Sequence, residues 1–142
     1  MDRSKALPED VETLDGIIHA SYALISGKAG EPRNWERFQS LFVDGARMMP
    51  AVSGANPRLR VLSVEEFKQR VKPIFETENF WERESGRKTE LVGRFAHVLS
   101  EYDSLRDPEG TPFARGTNSM QLYHDGERWW IVSILWNTER GE

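Results

Sequence analysis

Residues 126–139 read Gly126-Glu127-Arg128-Trp129-Trp130-Ile131-Val132-Ser133-Ile134-Leu135-Trp136-Asn137-Thr138-Glu139, a run that holds three of the chain's five tryptophans. Its β-branched and aromatic content predicts a strand. Successive strand side chains point to opposite faces, so regular alternation puts Trp130, Val132, Ile134 and Trp136 on one side and Trp129, Ile131, Ser133 and Leu135 on the other. Both sides are apolar. A strand with one wet face alternates apolar with charged residues, so each face of this one must be covered, and what covers them bears on function.

Immediately before this run, His124-Asp125-Gly126 marks a turn after the extended segment Pro112 to Tyr123. A three-residue turn with glycine in the left-handed conformation pairs Met120 with Trp130 and Asn118 with Val132, stacking Leu122, Met120 and Trp130 on one face. A two-residue Asp125-Gly126 turn slips the register by one and brings Ser119 and Gln121 to that face instead. Further upstream, Leu91 to Ser104 and Phe80 to Glu84 are extended candidates, separated by turn signals at Asp107-Pro108-Glu109-Gly110 and Ser85-Gly86. Strands joined by short turns form an antiparallel meander.

The first half reads helical. Pro8, Glu9 and Asp10 suit a first helical turn, and Val11, Leu14, Ile18, Tyr22 and Ile25 recur at helical spacing up to Gly27. Asn34 caps a short helix carrying Trp35, Phe38, Leu41 and Phe42, closed by Asp44-Gly45. Ala46 to Val52 and Arg58 to Leu62 read as short strands or extended loop around Ser53-Gly54-Ala55-Asn56-Pro57. Ser63 and Glu66 form a capping box ahead of the stripe Val64, Phe67, Val71, Ile74 and Phe75, with Pro73 expected to bend or end that helix. Helices grouped ahead of a meander predict an α+β domain over residues 1–142.

The 142 residues suffice for one core. The chain contains no cysteine, which removes disulfides and thiolate metal sites and fits a reducing, cytoplasmic setting. A net charge of −4 without a basic stripe argues against nucleic acid as a partner. The apolar run from Ile17 to Gly27 is far shorter than the roughly 20 residues of a membrane span. The start, Met1-Asp2-Arg3-Ser4-Lys5, leads to Pro8 without the hydrophobic segment of a signal peptide.

No single motif names a reaction. The eleven glycines sit at scattered turns rather than in a phosphate loop, and His19, His97 and His124 lack metal-ligand spacing, so neither cofactor nor metal is expected. His97 interrupts the apolar stretch Phe95-Ala96-His97-Val98-Leu99, as either a hydrogen-bonded structural residue or a titrating acid or base in a cavity. Tyr22 sits on the stripe of the first helix, where a phenol bonds a backbone carbonyl or donates into a pocket. Asn118 and Gln121 flank Met120 in a strand, where their amides pair with a ligand or with each other. Glu101 and Asp103 read as a solvated rim.

The runs Ala96-His97-Val98-Leu99-Ser100-Glu101-Tyr102, Arg115-Gly116-Thr117-Asn118-Ser119-Met120-Gln121-Leu122 and Asp125 to Ser133, together with the order of elements, resemble the nuclear transport factor 2-like superfamily, which includes ketosteroid-isomerase-like and polyketide-cyclase-like domains. Small bacterial members of unassigned function carry similar runs. The resemblance implies a cystatin-like α+β cone in which a curved antiparallel sheet wraps a long helix and leaves a pocket between them. It also implies a homodimer through the outer sheet face, here Trp129, Ile131 and Leu135. Tyr22 falls where the steroid isomerases place an oxyanion-donating tyrosine, and Asn118 falls near their protonated aspartic acid. Their general base belongs shortly after Ala46, where this sequence has Arg47-Met48-Met49-Pro50 and no carboxylate.

These readings converge on a mostly apolar pocket for a small apolar or amphipathic molecule, with Tyr22, His97, Asn118, Met120, Trp130 and Trp136 as candidate lining residues. The alternatives are an isomerase, dehydratase or cyclase using His97 as acid or base with Tyr22 in support, and a dimeric structural module whose pocket is filled.

Overall fold

The computed structural model describes residues 5–52 and 56–140, with no side-chain detail for 138–140. The expectations for Met1 to Ser4 and for the Ser53 to Ala55 loop lie outside the described residues. The helical elements are α1 (Pro8–Val11), α2 (Leu14–Ala23), α3 (Trp35–Gln39) and α4 (Val64–Thr77). The strands are β1 (Phe42–Val52), β2 (Arg58–Leu59), β3 (Trp81–Val92), β4 (Phe95–Leu105), β5 (Ala114–His124) and β6 (Trp129–Arg140). They form one sheet in the order β2-β1-β6-β5-β4-β3. β3 to β6 are an antiparallel meander, and β1 joins β6 in parallel. The architecture is α+β with a curved, unclosed sheet. No described helix is long and apolar enough to cross a membrane.

Local chemistry explains the helix boundaries. The single first helix expected from Pro8 to Gly27 is two, because Thr13 adopts extended backbone and its Oγ1 accepts from Gly16 N at 2.9 Å, starting a new helix. Asn34 caps α3 by accepting from Arg37 N at 3.1 Å. Ser63 and Glu66 cap α4 reciprocally at 3.0 and 2.9 Å. Pro73 lies inside α4 without ending it. β1 begins at Phe42, which the sequence places on a helix, and Ile131 N donates to Leu41 O at 2.9 Å where the chain enters the sheet.

The strand boundaries differ from expectation at two places. Ser85-Gly86 is no turn but a bulge within β3, between the pairs Glu84–Tyr102 and Gly86–Glu101. The reversal instead lies at Gly93-Arg94, between paired Val92 and Phe95, with Gly93 at φ +55° as a two-residue turn with glycine first requires. At the other end of the meander Gly126 has φ +101°, and Asp125 Oδ1 accepts from Glu127 N and Arg128 N at 2.8 and 2.9 Å, making a four-residue loop.

That loop and a bulge in β6 decide the faces. Tyr123 pairs Trp130 and Leu122 pairs Ile131, but Gln121 pairs Ser133, so β6 carries one extra residue there. Beyond the bulge Met120 pairs Ile134 and Asn118 pairs Trp136. Neither register expected from the turn is present, since both assume uninterrupted alternation. Ile131 and Ile134 belong to the core cluster, with Trp129 and Trp136 packed against it. Trp130 lies on the opposite face with Tyr123. It is fully buried there beneath the Arg128 guanidinium, 3.5 Å from the ring centroid, and its Nε1 donates to Asp125 at 2.9 Å. The outer face therefore does not consist of Trp129, Ile131 and Leu135: of the three, only Leu135 is on it, 36% exposed.

The core lies between the inner sheet face and the helices. Ala96, Val98, Met120, Leu122 and Ile131 from the sheet meet Ile17, Ile18 and Leu41, all essentially inaccessible to solvent. A buried Asp10 holds α1 against α3 by accepting from Arg37 Nε and Nη2 at 2.8 and 2.7 Å, and it also takes Leu7 N at 3.0 Å.

Candidate functional site

A cavity of about 400 Å³ opens between the inner sheet face, α2 and α4. Its walls are aromatic. Phe75 stacks on Phe80 at 5.0 Å, Phe80 meets Phe113 edge-on at 6.3 Å, and Phe67 meets Trp136 edge-on at 5.8 Å, all five rings lining the space. Exposed Arg70, Ile74, Glu78 and Arg106 form its mouth, while Tyr22, Ser104 and Asn118 are buried at its inner end. The volume suits a small organic molecule, and apolar walls with few polar groups are the usual composition of such sites.

The inner end is a directed hydrogen-bond chain. Ser100 Oγ donates to Glu84 at 2.6 Å, and Glu84 is held by the Arg87 guanidinium at 2.8 to 3.2 Å. Arg87 also binds Asp15 of α2. With its proton given to Glu84, Ser100 accepts from Tyr22 Oη at 2.7 Å, and Tyr22 in turn accepts from Asn118 Nδ2 at 3.0 Å. Burial pushes the Tyr22 phenol well above its ordinary range, so it stays protonated. Its one proton is committed to Ser100. Towards a ligand Tyr22 is therefore an acceptor rather than the oxyanion donor the resemblance implies. Asn118 keeps its carbonyl oxygen for a ligand.

Glu82 is the site residue that the sequence pattern hides. It sits in β3 opposite Ser104, lines the cavity, and has its backbone N–H fixed on Ser26 Oγ at 3.0 Å. Desolvation by the surrounding protein pushes its carboxyl up to about 8, against a smaller opposing effect of the Ser104 hydrogen bond. In the sequence Trp81-Glu82-Arg83-Glu84 looks like a solvated, charge-blunted edge strand, which β3 is on its outer side. Strand alternation turns Glu82 and Glu84 inward, towards the helix that carries Tyr22. β1 supplies Met48 and Pro50 to the cavity and no carboxylate, so the acid enters from the opposite end of the sheet.

Of the residues singled out in the sequence, Tyr22, Asn118 and Trp136 come together in the cavity. Met120 shares their sheet face but is fully buried in the core behind them. Trp130 is placed on the other side of the sheet by the four-residue loop, which pairs it with Tyr123, and the β6 bulge that follows keeps Trp136 from sharing that side. His97 is also on the outer face: it pairs Gln121, its Nε2 lies 3.0 Å from Ser119 Oγ, and Nδ1 lies 3.7 Å from Glu90. The even-numbered β4 residues Ala96, Val98 and Ser100 point inward, so His97 cannot reach a molecule in the cavity. Among the described residues, no cluster of His, Asp and Glu is placed to hold a metal ion.

No family model matches the sequence. No curated protein matches it either. Solved structures do match. A protein of unknown function with a cystatin-like fold from Nostoc punctiforme superposes with TM-score 0.68 at 10% identity, over 89% of this chain and 88% of that one. A candidate scytalone dehydratase from Novosphingobium aromaticivorans gives TM-score 0.66 at 12% identity, over 92% and 87%. A candidate dehydratase of the NTF2-like family from Streptomyces avermitilis gives 0.65 at 15%, over 93% and 97%. Identities this low carry the fold and leave activity open. A six-stranded curved sheet around α2 and α4, superposing on these chains over most of their lengths, is the nuclear transport factor 2-like fold.

Proposed function

We propose that the protein binds a small, mostly apolar organic molecule in the cavity, with a hydroxyl or carbonyl group of that molecule at Glu82. The observation that carries this reading is the pairing of an aromatic-walled space with a carboxyl pushed up to about 8, and so mostly protonated at neutral pH. A half-buried acid with a hydroxyl partner and no cation is rarely placed for packing alone, because a carboxyl shielded from water is costly. Tyr22 and Asn118 offer acceptors beside it, and Glu82 in its acid form supplies a donor. Native mass spectrometry of the purified protein tests the reading. It should show a retained molecule of small mass, or else added candidates should change Trp136 fluorescence, a change lost in Trp136→Phe. A protein that takes up no candidate and gives no Trp136 response contradicts it.

The carboxyl near 8 also favours a second reading, acid–base catalysis of the isomerase or dehydratase type, with Glu82 in place of His97. A proton-transfer group works best with a pKa close to the working pH. In that case Glu82→Gln lowers turnover by about 10²–10⁴-fold while ligand affinity holds. An unchanged rate removes the catalytic reading and leaves the binding one.

We further propose that the outer face associates with a second copy of the chain. Phe95, Leu99, Tyr123 and Leu135 share that face and are 52%, 38%, 42% and 36% exposed, an apolar surface that monomers rarely leave open.

A further inference from the structure

Four charged residues line the cavity: Arg70, Glu78, Glu82 and Arg106. Glu78 and Arg106 neutralise each other across 3.1 Å, and Arg106 is further held by the Asn79 carbonyl at 3.0 Å and by the Phe113 ring, 3.9 Å below its guanidinium. Glu82 lies inside among apolar and hydroxyl groups. Arg70 differs from all three. It is exposed at the mouth, on the turn of α4 after Phe67 and beside Val71, and it makes no ion pair or hydrogen bond with any other described residue. The apolar wall formed by Phe67, Val71 and Trp136 thus ends at a guanidinium with five free donors.

An anion is the complement of that edge. A guanidinium presents two parallel N–H groups to a carboxylate, a geometry that a neutral or cationic group does not satisfy. We infer that the cavity takes an amphipathic monocarboxylic acid, its apolar body between the aromatic walls and its carboxylate on Arg70 at the mouth. This rests on the ligand-binding reading above and narrows it. The acceptors Tyr22 and Asn118 at the inner end then meet the far end of the molecule, so an acid bearing a hydroxyl remote from its carboxylate fits better than a plain one. A cation at the mouth faces the unpaired Arg70 and is disfavoured.

Three probes of equal chain length separate the possibilities: octanoate, 1-octanol and octylamine, each titrated against Trp136 fluorescence, with Trp136→Phe as the reference lacking the signal. Wild-type protein should bind octanoate about five- to tenfold more tightly than octanol at low salt, an advantage that shrinks as salt screens the exposed pair, and octylamine more weakly than either. Arg70→Met keeps an apolar stem at the mouth. It should bring octanoate down to the octanol level and leave octanol unchanged. If octanol binds and octanoate gains nothing over it, or if Arg70→Met leaves the octanoate advantage intact, the inference fails while the pocket reading stands. If none of the three probes binds the wild-type protein, both fail together. A melting curve of Arg70→Met matching wild type keeps a loss of binding from being a loss of fold, and Arg70→Lys, which keeps the charge but not the fork, should retain only part of the advantage.

Discussion

Two acids in this protein are displaced in opposite directions, and the difference is one of partners. Asp10 accepts three hydrogen bonds, two of them from Arg37, and these hold its carboxyl below the usual carboxylate range. Its contribution is present above the unfolded carboxylate pKa and is lost as pH falls through the lowered folded value. Asp10→Asn should cost about 1.5–3 kcal/mol at neutral pH, the usual worth of hydrogen bonds to a charged group, and much less near pH 2. Glu82 has no cation beside it, and its folded pKa of about 8 lies above the ordinary 4.5. Its neutral form is favoured in the fold, so the contribution is full below the unfolded pKa and is lost as pH rises through the window up to about 8. Glu82→Gln should flatten that slope and leave the variant more stable than wild type above it, by urea unfolding at several pH values. A parallel pair of stability curves would contradict the assignment. Tyr22→Phe, which strands Ser100 and Asn118, should cost about 1–3 kcal/mol in the same assay.

At the scale of elements, the order helices then meander was legible because helical stripes, caps and turn residues are local signals. The Ser63–Glu66 capping box and the Asn34 cap are where their side chains predict. The β6 bulge was not legible: an extra residue at Val132 leaves composition and periodicity unchanged, yet it reverses which tryptophan meets the core. That one residue separates Trp136, in the cavity wall, from Trp130, on the other face. Gly93 was hidden inside the extended segment from Leu91 to Ser104, whereas Ser85-Gly86 advertised a turn and is a bulge. Tyr22, Asn118 and Trp136 were readable as candidates for the cavity wall because each is a polar or large aromatic group in an apolar element. Glu82 was not, because inward and outward charges on an edge strand look alike until the register is known. Tight sheet packing yields its own test at Gly116, where an added Cβ would lie 2.3 Å from Tyr102 Oη and 2.6 Å from the Asn137 carbonyl. Gly116→Ala should therefore lower stability by about 1–3 kcal/mol in thermal melts, and an unchanged melting temperature would contradict so close an approach of β4, β5 and β6.

At the scale of the whole molecule the sheet separates an outer face from an inner one. The outer sheet face carries Leu99 and Leu135 across the Ser119 row, and Leu135→Glu should shift a self-associated protein to a folded monomer in sedimentation, with a melting temperature lowered only by the lost association. Ile131→Glu should instead unfold it, because Ile131 is fully buried against the helices. A monomeric wild type at high micromolar concentration would rule the dimer out. The inner face encloses the cavity, and the chemistry of the site depends on that enclosure keeping one carboxyl neutral in an apolar space. Carbon-13 NMR of the side-chain carboxyl of Glu82, identified by its absence from Glu82→Gln and followed from about pH 4 to about pH 10, measures this directly. Enclosure should place the midpoint at about 8, with the signal at its protonated position through the ordinary carboxylate range. A midpoint near the unperturbed 4.5 would reveal a solvated acid and contradict the enclosed, neutral Glu82.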